Sequence, residues 1–343
     1  MNDEGSLKTV TMDKAPGDAS GAAAERPAET LLMDRVKGGL RRLGIPDGDL
    51  YGLPSSALRF PDGAHYRIEI SGIERLSTLE ALVDEMAKEK AVVHRIICTV
   101  MGATLLTTAE LRAFARMARE AKLEVIITPG PRPQWDAGSK QVATPEGGVS
   151  GLRIRGCDSL RYFLADIYRC IDAGFRGFLV WDEGVLDVVN GLREAGEIPK
   201  DVVFKVSIFA GHGNPAGGRV LEKLGANTFN PVADMTLPML AAIRSVVKLP
   251  MDLHVYLFDS FGGQNRLWET GEMARVAAPC YFKIEPGPSV GTLYKPWIGP
   301  DALAFLAREK VKQGKIIQEI VGQTYPDLVC SQQGPADLAL PKP

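Results

Sequence analysis

The chain has 343 residues, of which 45% are hydrophobic and 24% charged, and its formal net charge is −2. These values are ordinary for a globular protein, and without a basic excess nucleic acid is disfavoured as a partner. No apolar run approaches the roughly 20 residues needed to cross a bilayer, and the first residues lack the pattern of a signal peptide. We therefore expect a cytoplasmic protein that makes no membrane contact and acts on a small-molecule substrate. Assembly into a homo-oligomer is left open.

The composition divides the chain into three parts. Residues 1–30 are rich in Gly, Ala, Asp, Glu and Pro and have few large apolar side chains, which predicts a disordered arm. Residues 31–325 carry the alternating apolar patterns of one large domain. The last part, residues 326–343, contains the polar stretch SQQGPADLALPKP and predicts a loose tail.

The central domain alternates strand-like and helix-like segments. A capping box is predicted at Ser77 and Glu80 and another at Thr107 and Glu110, and Asn214 is a predicted N-cap. Strand patterns occur at residues 65–70, 94–100, 123–129, 177–183, 202–209, 226–231, 251–258 and 280–285. Eight strands alternating with helices predict an α/β fold, a (β/α)8 TIM barrel. An open doubly wound sheet is the alternative, but no GxGxxG follows the first strand and no phosphate-binding loop motif occurs.

Charged residues recur on the faces of these strands that point into the barrel. In FKVSIF, for example, Lys205 and Ser207 share one face while Phe204, Val206 and Ile208 share the other. Buried charges are costly unless they are paired, hydrated or catalytic, so the pattern predicts an active site at the C-terminal mouth of the barrel. A purely structural polar network is the alternative. The predicted inward set is Arg67, Glu69, Thr128, Asp182, Lys205, Ser207, Asn230, His254, Tyr256, Lys283 and Glu285.

The residue types suggest two groups of functional side chains. The predicted catalytic residues are Glu69, Asp182, Lys205, His254, Lys283 and Glu285. The predicted substrate-binding residues are Arg67, Arg155, Ser207, Asn230, Tyr256, Asp259 and Arg266. Lys205 is either a Schiff-base nucleophile or an electrostatic clamp paired with Asp182 or Glu285. Arg155 and Arg266 are expected to bind an anionic group of the ligand, and residues 130–152 form a candidate lid.

No cofactor is predicted, although a divalent metal ion is left open. The conceivable ligands are Glu69, Asp182, His254, Asp259 and Glu285. No HxH or HExxH spacing supports a metal site, and the amino groups of Lys205 and Lys283 would compete as counter-ions. The five cysteines are widely scattered and form no CxxC pair, which favours free thiols.

Several segments together resemble a known family. RFPDGAHYRIEI, KVSIF, GANTFNPVADMTLPMLAAIRSVVKLPMDLHV and DSFGGQNR are similar to bacterial barrel proteins labelled U32-family peptidases, over about residues 58–285. The resemblance implies a barrel with peptidase-like ancestry. The positions that match the family pattern are Glu69, Arg155, Gly156, Asp182, Lys205, Asn230, Asp259, Gly262, Gly263, Arg266 and Lys283. The cysteine signature of the peptidases and the four cluster-binding cysteines of other relatives are not found, and Tyr256 replaces an acidic residue.

Three functions follow from these observations. The favoured one is an enzyme that acts on a small polar, carboxylate-bearing metabolite by acid/base or lysine-assisted chemistry, as a lyase, isomerase or transferase. A U32-type peptidase or other hydrolase is the first alternative, although no HExxH or GxSxG motif is present. The second alternative is a non-catalytic barrel that serves as a binding or scaffold protein.

Overall fold

Eight parallel strands close into a barrel in the order of the sequence. The structure is a computed structural model that describes residues 31–98, 104–130, 153–289 and 298–343. The strands are β1 (Tyr66–Ser71), β2 (Arg95–Cys98), β3 (Glu124–Ile127), β4 (Gly177–Val180), β5 (Val203–Val206), β6 (Thr228–Phe229), β7 (Met251–Leu257) and β8 (Cys280–Glu285). The predicted TIM barrel is confirmed. The predicted arm (1–30) and the candidate lid after Gly130 lie outside the described residues.

Helices follow the strands on the outside of the barrel. They are α1 (Leu32–Arg42), α2 (Leu76–Glu89), α3 (Thr108–Glu120), α4 (Gly156–Asp172), α5 (Glu183–Glu194), α6 (Pro215–Lys223), α7 (Leu237–Arg244), α8 (Thr270–Ala277) and α9 (Pro300–Thr324). The capping box at Thr107 and the N-cap at Asn214 are confirmed. The predicted box at Ser77 is wrong, because α2 begins two residues earlier, with Arg75 at the cap position. In the described part of the chain, no helix combines the length and the apolar content needed to span a membrane.

The main apolar core lies between the strands and the surrounding helices. Outward side chains such as Ile68, Phe204 and Phe282 are fully buried there. Inside the barrel, a smaller apolar cluster joins Ile97 and Ile126 to Leu179 on β2, β3 and β4. The inward positions of the other strands are mainly polar or charged. The barrel interior therefore has an apolar half and a charged half, and the charged half holds the candidate site.

A β-bulge changes which residues of β7 point inward. His254 pairs with Lys283, but the next pairs are Tyr256 with Ile284 and Leu257 with Glu285, so one extra residue is inserted in β7. Ile284 belongs to the outer core, and Tyr256 packs against that core as well. The prediction that Tyr256 faces the interior is therefore wrong, since strict alternation cannot reveal a bulge. Leu257 joins an apolar cluster at the C-terminal end of the barrel instead.

The C-terminal segment, Ser331–Pro343, packs across the N-terminal ends of β1 to β4, contrary to the expectation of a loose tail. The Ser331 N–H donates to the Tyr66 carbonyl at 3.2 Å, and the Ala339 N–H donates to Glu124 Oε2 at 2.8 Å. At its end, Lys342 N–H donates to the Gly174 carbonyl at 2.7 Å. Polar composition alone predicted disorder because it does not show that the barrel supplies hydrogen-bond acceptors for the backbone of this segment.

Arg67 anchors this segment at the N-terminal end of the barrel. Its guanidinium donates to both carboxylate oxygens of Asp337, at 2.9 and 2.7 Å, and its Nε donates to the Ser331 hydroxyl at 2.9 Å. The same guanidinium lies 3.9 Å from the centre of the Phe60 ring. Arg67 is thus a structural residue on the N-terminal face, and its predicted role in binding substrate at the opposite mouth is not supported.

His94 also holds the segment. The Ile68 N–H donates to its Nδ1 at 3.0 Å, which leaves the proton on Nε2 to be donated to the Ser331 carbonyl at 3.0 Å. Burial lowers the pKa of His94 to about 4. The imidazole is therefore neutral in the folded protein at pH 7. At lower pH its protonation disfavours the folded state.

We expect Asp337→Asn to lower the free energy of unfolding by about 1 to 3 kcal/mol, because it leaves a buried guanidinium with a weaker partner. The matched control is Asp327→Asn, at an exposed aspartate that forms no ion pair in the described part of the chain. Urea unfolding of the three proteins measures both changes. Equal stability of Asp337→Asn and the wild type would show that the ion pair does not stabilise the segment.

We also expect His94 to make folding sensitive to acid. An unfolded histidine has its ordinary pKa near 6.5, so between pH 6.5 and about 4 the unfolded chain binds more protons and stability falls as the pH falls. This one residue should contribute about 2 kcal/mol to the difference between pH 7 and pH 5. Urea unfolding at both values should give a smaller difference for His94→Gln than for the wild type. An unchanged difference would assign the acid sensitivity to other groups.

Candidate functional site

A buried ion network occupies the middle of the barrel, with Arg95 at its centre. The Arg95 Nε donates to Glu124 at 2.6 Å, and its Nη1 donates to Glu69 and to Asp252, both at 2.9 Å. The guanidinium stacks on Tyr281, 3.5 Å from the centre of the ring. The register explains this convergence, because Glu69 pairs with Arg95 and Arg95 with Glu124 on adjacent strands. One guanidinium therefore joins three strands and reaches across to β7.

Lys205 belongs to the same network. Its Nζ lies 2.5 Å from Asp252 Oδ2 and 3.1 Å from Glu69 Oε1, and its side chain is only 1% exposed. The predicted partners of Lys205, Asp182 and Glu285, are wrong. Strand alternation identified Lys205 as inward but could not give its height, and β5 places it level with the carboxylates of β1 and β7.

Burial and charge act in opposite directions on these groups. Burial alone would raise the pKa of Glu69, but Lys205, Arg95 and Lys283 hold it below its ordinary value. Burial raises the pKa of Asp252 and lowers the pKa of Lys205, against their mutual attraction. The two shifts bring the proton affinities of Lys205 and Asp252 closer together than in water.

A second polar layer lies toward the C-terminal mouth. His254 Nε2 lies 3.4 Å from Glu285 Oε2, and Lys283 Nζ lies 3.4 Å from the same oxygen. The Asn230 amide nitrogen lies 3.2 Å from His254 Nδ1. If this amide donates to Nδ1, then the imidazole carries its proton on Nε2 and donates it to Glu285. Four of the predicted site residues are thus brought together.

The charge states of this layer are set by burial and by the neighbouring cation. Burial together with Lys283 lowers the pKa of His254 to about 4, so the imidazole is neutral near pH 7. Burial opposes ionisation of Glu285, but Lys283 and the hydrogen bond from His254 lower its pKa to about 2. The layer therefore presents a neutral imidazole, a carboxylate and an ammonium side by side.

Buried polar atoms without a hydrogen-bond partner among the described residues occur at the ends of four strands. They are Ser71 Oγ, Thr128 Oγ1, Asn230 Oδ1 and Glu285 Oε1, which follow or end β1, β3, β6 and β8. Buried polar atoms in proteins nearly always have a partner, so several in one region indicate a place where a ligand or water binds. Ser207, the residue after β5, is also buried and accepts a hydrogen bond from the Phe209 N–H at 3.2 Å.

Lys310 forms a wall of this region that the sequence analysis missed. It lies on α9, and its Nζ donates to the Ser71 carbonyl at 2.6 Å. Burial lowers its pKa to about 8, while Glu285 and Glu74 oppose that shift. The available signal was its position on the apolar stripe of α9, one turn from Ala307 and beside Val311.

The remaining predicted residues do not join the interior. Asp182 caps α5 by accepting from the N–H groups of Gly184 and Val185, and Asp259 is exposed in a turn after β7. Arg266 donates to the carbonyls of Ala233 and Met235 and to Glu269, which gives it structural partners. Arg155 is the half-buried residue before α4.

Three network residues were missed although the strand pattern contained them. Arg95 and Glu124 begin β2 and β3, and Asp252 is two residues before His254 on β7. Each follows from the same period of two that identified Glu69 and Lys205. Active-site residues of a TIM barrel are expected at the C-terminal ends of the strands, whereas these side chains lie lower in the barrel.

The five conceivable metal ligands are not brought together. Glu69 lies in the central network, His254 and Glu285 lie in the upper layer, and Asp182 and Asp259 lie in turns outside the interior. Across residues 31–98, 104–130, 153–289 and 298–343, no group of three or more His, Cys, Asp or Glu side chains is arranged to hold a metal ion.

Comparison with known proteins gives similar structures but no family. No family model and no curated protein matches the chain. Among solved structures, a U32 peptidase is 18% identical, with 65% of this chain and 93% of that chain covered and a TM-score of 0.40. D-psicose 3-epimerase from Clostridium cellulolyticum H10 is 13% identical, with 74% and 98% covered and a TM-score of 0.40. Similarities this low carry no information about the reaction.

We expect Lys205→Met to lower the free energy of unfolding by about 3 to 5 kcal/mol, because it leaves Asp252 and Glu69 buried with too little positive charge. Adding Asp252→Asn should recover part of this loss, since it removes one of the two negative charges that then share Arg95 alone. Urea unfolding of the wild type, both single variants and the double variant gives the coupling energy. Strict additivity would show that the two side chains do not interact.

Proposed function

We propose that this barrel is an acid/base enzyme for a small polar metabolite that bears a carboxylate, acting at the C-terminal mouth as a lyase, isomerase or transferase. The observation that carries the proposal is the arrangement around Glu285. One of its oxygens faces His254 and Lys283, and the other, Oε1, has no partner among the described residues. A carboxylate held at one oxygen and open at the other is suited to proton transfer.

The neighbouring groups support distinct roles. Lys283 provides the positive charge that would bind the substrate carboxylate, while His254 orients Glu285 through its Nε2–H. Asn230 Oδ1 and the Ser71 and Thr128 hydroxyls supply hydrogen bonds for polar groups of the substrate. In this assignment Glu285 is the catalytic base or acid, and His254 is a positioning residue.

The low pKa of Glu285 makes it a weak base in the free protein, and substrate binding would change that. A substrate carboxylate near Lys283 adds a negative charge and shares the ammonium, so the pKa of Glu285 rises toward the working range. Binding and activation of the base are thus coupled through one lysine. The same coupling favours substrates that carry a carboxylate over neutral ones.

Lys205 supports the site from below as an electrostatic clamp. Schiff-base chemistry at this residue would require the Nζ to leave both Asp252 and Glu69 and to become accessible from a position that is 1% exposed. No contact in the described part of the chain favours the peptidase or scaffold alternatives, which stay predictions.

The proposal predicts proton exchange that depends on Glu285. The purified protein is incubated in D2O with a panel of small hydroxy and oxo acids, and the loss of signals from protons adjacent to a carboxylate or carbonyl is followed by NMR. We expect exchange with at least one acid, and a loss of at least a hundredfold in Glu285→Gln, the usual scale for general acid/base catalysis.

The matched control is Glu309→Gln, which removes a carboxylate from an ion pair with Lys312 on the surface of α9. Exchange should be unchanged in this variant. Exchange at the wild-type rate in Glu285→Gln would remove that residue from the chemistry, and absence of exchange with the whole panel would argue against acid/base chemistry on such acids.

A further inference from the structure

A cavity of about 320 Å³ lies at the opposite end of the barrel from the proposed active site. It is bordered by the N-terminal ends of the strands, and the buried residues Arg95 and Lys205 are part of its lining. Arg59 and Lys248, both exposed, stand at its rim. Its volume is within the range of sites for small metabolites.

The charge of the cavity wall is unbalanced toward positive. Arg67 is neutralised by Asp337, and the two cations Arg95 and Lys205 face three carboxylates of the central network, one negative charge more than they carry. Arg59 donates only to the carbonyls of Ser56 and Leu58, and Lys248 forms no ion pair within the described residues. Two positive charges at the rim therefore have no carboxylate partner there.

The carboxylates that line the cavity already accept hydrogen bonds from the protein. Glu124 accepts from Arg95 at Oε1 and from the Ala339 N–H at Oε2. Asp337 accepts from Arg67 at both oxygens. Neither carboxylate therefore needs a donor from a ligand.

Donors, by contrast, are left over. Arg95 uses Nε and Nη1, and no hydrogen bond from its Nη2 is found among the described residues. The Tyr281 hydroxyl accepts from Arg67 at 3.2 Å, and burial raises its pKa to about 12, so it keeps a proton to donate. Among the described residues, Asn227 forms side-chain hydrogen bonds only through Oδ1, which accepts, so its amide N–H groups are unused. The unused side-chain hydrogen-bonding capacity of the cavity consists of donors.

We infer that this cavity is a second ligand site, which binds a small oxyanion of the phosphate or carboxylate class. Arg95, 2% exposed, and Tyr281, also 2% exposed, form the buried end of the site, and Arg59 and Lys248 attract the anion at the rim. A planar guanidinium and a hydroxyl that both donate are the groups that recognise an oxyanion. The site is separate from the C-terminal mouth and does not depend on the function proposed for it.

Calorimetric titration of the full chain with inorganic phosphate, and separately with succinate, tests the inference at constant ionic strength held with NaCl. We expect saturable binding of at least one anion with one site per chain. The double variant Arg59→Met/Lys248→Met should bind at least tenfold more weakly, and Tyr281→Phe should also bind more weakly. Lys223→Met, which removes an exposed lysine at the end of α6 outside the cavity, should bind like the wild type.

The outcomes separate the two ends of the barrel. Binding of phosphate alone or of succinate alone identifies which oxyanion the site takes. Glu285→Gln should leave this binding unchanged, whatever its effect on proton exchange. The inference is overturned if neither anion binds saturably to the wild type, if the double variant binds as tightly as the wild type, or if binding is lost only in Glu285→Gln.

Discussion

The contact on which the interior depends is the one between Arg95 and its three carboxylates. An arginine buried in the middle of a barrel is costly to desolvate, and it is tolerated because Glu69, Glu124 and Asp252 each accept from it at 2.6 to 2.9 Å. These acceptors come from β1, β3 and β7, so the contact joins strands that are distant in the chain. Its geometry is possible only when the barrel is closed in the observed register.

The same contact fixes where Lys205 must be. Two cations and three carboxylates face one another, and Lys205 bridges the two carboxylates, Glu69 and Asp252, that also accept from Arg95. Removal of either cation would leave three buried carboxylates with one cation among them. The apolar cluster of Ile97, Ile126 and Leu179 fills the other half of the interior and excludes water there, which strengthens the ionic contacts beside it.

The sequence was sufficient for the fold but only partly for the site. Period-two alternation identifies the inward faces, and it found Glu69, Lys205, His254, Lys283 and Glu285. It contains no information about height along the barrel axis, which depends on the stagger of the strands, so Arg67 was assigned to the wrong end. It also assumes regular strands, and the bulge in β7 moves Tyr256 to the outer core.

The prediction of a loose C-terminal tail was wrong for a different physical reason. Composition measures whether a segment can bury its own apolar surface, but Ser331–Pro343 is held by polar groups that belong to the barrel. The Arg67 guanidinium, the His94 imidazole and the Glu124 carboxylate each lack a full set of partners until this segment supplies them. If this segment were disordered, these three buried polar groups would lose hydrogen-bond partners, which would destabilise the fold. The sequence of the tail alone does not reveal this cost.

The central network also divides the barrel into two chemically different ends. Above it, the free hydrogen-bonding atoms include acceptors such as Glu285 Oε1 and Asn230 Oδ1, next to the ammonium of Lys283. Below it, the free side-chain atoms are donors and the carboxylates are satisfied. The upper end therefore offers acceptors beside a cation, whereas the lower end offers donors. Because Arg95 and Lys205 share the carboxylates of Glu69 and Asp252, neither can turn toward a ligand without leaving these two carboxylates with a single cation. The network thus keeps the two ends distinct by the same ion pairs that hold the strands together.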